Sequence, residues 1–127
     1  MERESSMQPD AGPSTAGRSV VEIRTTFPSR EIAMQCATRL VDRGLAACVQ
    51  VEGPVTSTYR WQGAMETADE FSCRCKTTVA AAAACEAEIA AVHPYATPEI
   101  LVTHCLASAS YAAWVRESVA GDHGQSS

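Results

Sequence analysis

The densest concentration of reactive side chains lies in His93-Pro94-Tyr95-Ala96-Thr97-Pro98-Glu99. An imidazole, a phenol and a carboxylate share one short piece of backbone. Nothing else in the chain concentrates so much chemistry in so little backbone. Two readings of His93 stand side by side. At the end of a helix it caps free carbonyls, in a field that favours the protonated ring and opposes metal binding. Alternatively, the stretch is a functional site rather than a well-made corner. Glu99 by itself also reads as an exposed or salt-bridged carboxylate. Tyr95 reads as a packed aromatic rather than an acid catalyst, and Pro94 and Pro98 set the turn.

Other groups carry chemistry more thinly. The six cysteines, Cys36, Cys48, Cys73, Cys75, Cys85 and Cys105, contain no C-x-x-C, which speaks against a zinc ribbon or a thioredoxin motif. They read mainly as small buried hydrophobes. Cys73 and Cys75, two apart on one strand face, are the pair able to share a soft ion. Arg24, Arg74 and Lys76 are candidates for an anion pocket or a subunit cleft, against the simpler reading of ion pairs with Glu22. No Gly-rich phosphate loop accompanies them. No Ser-His-Asp or Cys-His arrangement stands out, so a catalyst is not expected. His93 and His104 are too far apart for a local metal motif, and His123 falls in a polar tail.

Composition narrows the classes further. The chain has 127 residues, 46% hydrophobic and 20% charged, which fits one globular domain. Its net charge is −5, with 10 basic and 15 acidic residues. Apart from Lys76 the basic residues are arginines, and they are scattered. That argues against nucleic acid or an anionic membrane surface as partner. There is no apolar run of membrane-spanning length and no signal-peptide core, so a cytoplasmic location is expected.

Residues 1–18 and 120–127 are polar and rich in Ser and Gly, and are expected to be disordered tails. Met1 and Met7 are both available as starts. The domain is expected over 19–119. Val21 and Ile23 alternate with Glu22 and Arg24 in a first strand. Ser29 caps an amphipathic helix with the stripe Ile32, Ala33, Cys36, Ala37, Leu40 and Val41, ended by Gly44. A long strand from Ala46 to Trp61 bends at Gly53-Pro54 and turns at Gln62-Gly63. It returns through about Met65 to Thr77, with Phe71, Cys73 and Cys75 alternating with Ser72, Arg74 and Lys76. Thr78 caps an alanine-rich helix over 79–92, Pro94 stops it, and a strand over 99–106 follows. A last helix spans 111–119, anchored by Trp114 and Val115.

This order predicts an α+β, ferredoxin-like βαββαβ fold: an antiparallel sheet with two helices on one face, plus a short C-terminal helix. The other face carries Glu22, Arg24, Gln50, Arg74 and Lys76. Tyr59 and Trp61 near the hairpin tip extend past the subunit's own helices. Exposed strand edges and aromatics of this kind seek partners, and a closed oligomer is expected.

Leu45-Ala46-Ala47-Cys48, Val55 through Gly63, Lys76-Thr77 and His93 through Glu99 occur in an order and at separations that resemble the CutA family of divalent-cation tolerance proteins. The resemblance spans about Ser19 to Val119. It implies a cytoplasmic, PII-like homotrimer with strands paired between subunits through the long hairpin, linked to tolerance of copper and other divalent metals. It implies no established reaction. It also implies a copper site in some members, built from a cysteine near the end of the first strand with the His and Glu of the H-P-Y-x-x-P-E motif. His93 and Glu99 match that motif. Arg24 stands near the cysteine's position, followed by Thr25-Thr26, so the soft third ligand is missing here. The imidazole and carboxylate that remain suit Cu(II) or Zn(II) better than Cu(I), in a weak site unless a neighbouring subunit adds a ligand. The other function in view is a trimeric signalling or interaction module taking a small anion or a protein at its subunit clefts.

Overall fold

The computed structural model describes residues 14–119. The expected tails over 1–13 and 120–127 lie outside them. Within the expected first tail, Gly17 and Arg18 bond to the domain. Arg18 Nε donates to the Ala107 carbonyl at 2.8 Å, and Arg116 Nη1 donates to the Gly17 carbonyl at 2.7 Å.

The elements are β1 (Ser19–Phe27), α1 (Arg30–Asp42), β2 (Cys48–Trp61), β3 (Ala64–Thr77), α2 (Ala82–Val92), β4 (Ile100–Leu106) and α3 (Ala109–Val119). The four strands form one antiparallel sheet in the order β2-β3-β1-β4. The βαββαβ plan with a terminal helix is therefore present, and no described helix is long and apolar enough to cross a membrane.

Local chemistry explains most boundaries. Ser29 accepts a hydrogen bond from the Ile32 amide at 3.2 Å, the N-cap that starts α1. At its other end Gly44 takes φ +69°. The Gly44 amide bonds to Val41 O at 3.0 Å and the Leu45 amide to Leu40 O at 2.9 Å, closing a Schellman motif. Between β2 and β3, Gln62 and Gly63 both have positive φ, the conformation a two-residue hairpin turn requires. The second helix starts at Ala82, not Val79. Thr78 Oγ1 accepts from the Ala81 amide at 3.0 Å and holds residues 79–81 in a preceding turn.

The sheet's two faces differ as the alternation predicts. Val21, Ile23, Phe27, Cys73 and Cys75 point under α1 and α2, where they meet Ala33, Cys36, Leu40, Cys85 and Ile89 in the main core. Val41, expected in the α1 stripe, is 46% exposed because it lies past the edge of that contact. On the opposite face α3 covers one end of the sheet, packing Ala112, Val115 and Val119 on Val20 and Ala81. Trp114 does not anchor it. Trp114 is 44% exposed and lies beside Tyr111.

The register of β3 shows how the hairpin projects. Residues 71–77 pair with β1, which ends at Phe27 opposite Phe71, and 72–76 of them also pair with β2. Residues 64–70 pair with β2 only. The pairing slips between Glu52 and Val55, so the chain bulges at Gly53-Pro54 as the hairpin leaves the body of the sheet.

Candidate functional site

The connection between α2 and β4 fills the corner left where β1 stops. His93 closes α2 in an extended conformation, φ −75° and ψ 134°. Its ring turns away from the helix and stacks on Phe27, with centroids 4.4 Å apart and planes at 15°. Nε2 lies 2.9 Å from the Thr26 carbonyl and 3.1 Å from Thr25 Oγ1. A carbonyl only accepts, so Nε2 carries the hydrogen. Nδ1 is then free to accept from the Tyr95 amide, which lies at 3.2 Å. Both ring nitrogens are engaged in one neutral tautomer.

This corrects the expectation that the helix end favours the protonated ring. Burial lowers the His93 pKa, and this outweighs the bond to Thr26 and the charge of Glu70, which act the other way. The ring caps no helix carbonyl. It ties the corner to the end of β1.

Tyr95 then carries the corner across to the hairpin. Its hydroxyl donates to Glu70 Oε2 at 2.8 Å, and Ser57 Oγ donates to Glu70 Oε1 at 2.7 Å. Burial and the adjacent Glu70 carboxylate raise the Tyr95 pKa, so the phenol stays protonated and donates. Glu70 is only 9% exposed. The motif reading did not single it out. In sequence it is one more polar residue on an alternating strand, and only the bulge, the end of β1 and the folded corner bring Ser57 and Tyr95 to it.

These groups border a cleft of about 770 Å³ between the 93–99 corner and the outer half of the hairpin. Tyr59, Trp61, Glu70, Tyr95 and Glu99 all line it. Tyr59 and Trp61 from the hairpin and Tyr95 and Glu99 from the corner motif therefore share a cavity, while the His93 ring is turned back into the protein.

The basic residues are arranged differently. Arg74 Nε bonds Glu22 Oε2 at 2.9 Å and Arg74 Nη1 approaches Glu52 Oε1 at 3.4 Å. Lys76 Nζ lies 3.7 Å from Glu22 Oε2 and 2.9 Å from Gln50 Oε1. The cross-strand ion pairing with Glu22 thus occupies both. Arg24 is exposed on the same face, opposite Arg74 across β1 and β3.

The cysteines behave as a hydrophobic core. Cys36, Cys73, Cys75 and Cys85 are buried together, and Cys48 and Cys105 are partly exposed. Burial pushes the Cys36 thiol up to about 11 and the Cys73 thiol up to about 12. Contact with Cys85 and burial also raise Cys75. Thiols held protonated are poor soft-metal ligands. Among the described residues no group of three or more His, Cys, Asp or Glu side chains is placed to hold a metal ion. With both His93 nitrogens engaged, the residues present do not fit a resident metal centre.

Fold and site together define a small α+β protein with a split-βαβ sheet, a projecting hairpin and a carboxylate-floored cleft at the hairpin's base. Residues 21–118 match the family described as CutA1 divalent ion tolerance protein, and the chain belongs to that family. It is 38% identical over 94 residues to the divalent-cation tolerance protein CutA of Thermus thermophilus, covering 73% of this chain and 91% of that one. CutA from Synechococcus elongatus has the same fold, with a TM-score of 0.77 at 38% identity, covering 81% of this chain and 92% of that one. The periplasmic divalent cation tolerance protein CutA of Archaeoglobus fulgidus gives a TM-score of 0.75 at 35% identity, covering 79% and 98%.

Proposed function

We propose that this protein serves divalent-cation tolerance as a cytoplasmic homotrimer that meets Cu(II) or Zn(II) transiently, through Glu99 and His93. Membership of the divalent ion tolerance family supports the first part. The observation that carries the transient contact is the state of the two side chains. Glu99 is exposed at the cleft, while His93 offers Nδ1 only by giving up the 3.2 Å bond from the Tyr95 amide. Such a pair favours exchange over storage: one hard ligand is ready, and the second must be released from a structural role. Six free cysteines with no disulfide suit a reducing compartment.

Calorimetric titration with Cu(II) and with Zn(II) tests this. Wild type is expected to bind weakly, and His93→Ala and Glu99→Ala are expected to lose at least tenfold in affinity. Equal stoichiometry and affinity in wild type and both variants would overturn the assignment of these ligands.

The projecting hairpin favours the assembled state and, with it, the second reading of a trimeric interaction module. Residues 64–70 of β3 leave one edge without a strand in the described chain, and Tyr59 and Trp61 are 44% and 48% exposed there. For that module a protein partner is better supported than a small anion. Arg74 and Lys76 already neutralise Glu22, and an anion would have to displace it.

A further inference from the structure

We infer that the cleft at the base of the hairpin is a binding site for a small organic cation, an alkylammonium or guanidinium compound with an apolar body. The argument starts from Glu70. The residue is only 9% exposed, and the two donors to its carboxylate among the described residues, Ser57 and Tyr95, are both neutral hydroxyls. No lysine or arginine among the described residues pairs with it, although Glu22, Glu52 and Glu88 all have such partners. Buried carboxylates are ordinarily paired with a cation. This one faces a cavity of about 770 Å³, large enough for a small organic molecule.

The walls complete the case. Tyr59, Trp61 and Tyr95 bring aromatic rings to the same cavity, and Glu99 adds a second carboxylate at its border. Ring faces attract a cation most strongly where water is excluded, and tryptophan does so best. Carboxylates and aromatics around one space are complementary to positive charge on an apolar frame and hostile to an anion. A bare metal ion would find only the carboxylates; an organic cation uses both kinds of wall. The site shares Glu99 with the proposed metal contact, but Glu70 and the aromatic walls belong to it alone.

The test uses the full chain in EDTA, so that metal binding cannot contribute. Trp61 is the reporter, with Trp114→Phe removing the other tryptophan. Titration with benzyltrimethylammonium and with agmatine is expected to change Trp61 fluorescence saturably, and benzyl alcohol, uncharged, is expected to give at least tenfold weaker binding. Glu70→Gln keeps the side chain's shape and is expected to weaken both cations at least tenfold. If Glu70→Gln does not fold, Glu99→Gln carries the test, with a loss of at least threefold expected. Benzyl alcohol binding as tightly as the cations, or unchanged affinity in the folded charge-neutralised variant, overturns the proposal. Sedimentation is run alongside. No cation binding by wild type, with Glu70→Gln falling apart into monomers, would mean that a basic side chain of a second copy fills the cleft, and this also overturns it.

Discussion

Glu70 and His93 illustrate how the same few side chains are put to structural or binding use according to their partners. His93 gives both nitrogens to backbone and hydroxyl groups, and burial disfavours its charged form. Glu70 is supplied with hydroxyl donors but, among the described residues, no counter-charge, and it faces an open cleft. Gly53 is decided equally locally. A Cβ there would lie 2.7 Å from Phe71 Cδ2 and 2.9 Å from the Glu70 carbonyl oxygen, with φ at +152°. Backbone cannot yield as a flexible side chain can. Gly53→Ala is therefore expected to destabilise the protein by roughly 2–3 kcal/mol. Gly63→Ala, also at positive φ but with nothing within 4 Å, is expected to cost about 1 kcal/mol. Thermal unfolding of the two variants checks the order; equal losses would remove the steric explanation.

Between elements, α1 and α2 are joined at the surface by Glu88, which pairs with Arg39 and lies 3.3 Å from Arg43 Nη1. The hydrogen bond from Arg39 holds Glu88 below its ordinary pKa, with the charges of Arg39 and Arg43 adding to it and desolvation opposing. A depressed carboxyl stabilises the fold above its unfolded value of about 4.3, and the contribution is lost as pH falls through the folded value. Glu88→Gln should lower stability at neutral pH by about 0.5 kcal/mol, the scale of a screened surface pair. It should also reduce the loss of stability below about pH 4.3. Chemical denaturation from neutral to acid pH measures both. An acid limb identical to wild type would show that Glu88 is not linked to folding.

At the scale of the whole molecule, the hairpin is the part the subunit does not explain by itself. It leaves the sheet at the Glu52/Val55 bulge, and beyond that point it is paired only within itself. Tyr59, Trp61 and Met65 are all substantially exposed along it. Aromatics of this kind act as anchors when a partner covers them. Light scattering at micromolar concentration is expected to give three chain masses for wild type. Tyr59→Ala with Trp61→Ala is expected to shift that mass toward the monomer on dilution. A wild-type monomer would defeat the trimer, and an undisturbed trimer in the double variant would remove the hairpin tip from the interface.

Much of this protein was legible in its residues. Alternation at Val21 to Arg24 and at Phe71 to Lys76 assigned the two sheet faces, because a strand's side chains have a period of two. Ser29, Gly44, Gln62-Gly63 and Pro94 marked ends and turns through backbone rules that act over a few residues. The family was legible too, in four short motifs. What sequence could not supply were relations between distant segments. Thr78 was read as a cap directly onto a helix, and it caps a turn instead. Trp114 was read as an anchor, but Ala112, Val115 and Val119 face the sheet. His93 looked like a helix-end ligand until Phe27, Thr25 and Thr26 took its ring. Glu70 acquired its importance only when β1 ended at Phe27 and the corner placed Tyr95 beside it. Local propensity and periodicity determine elements. Burial, tautomer and charge balance are set by which side chains fold together, and that was decided by the tertiary structure.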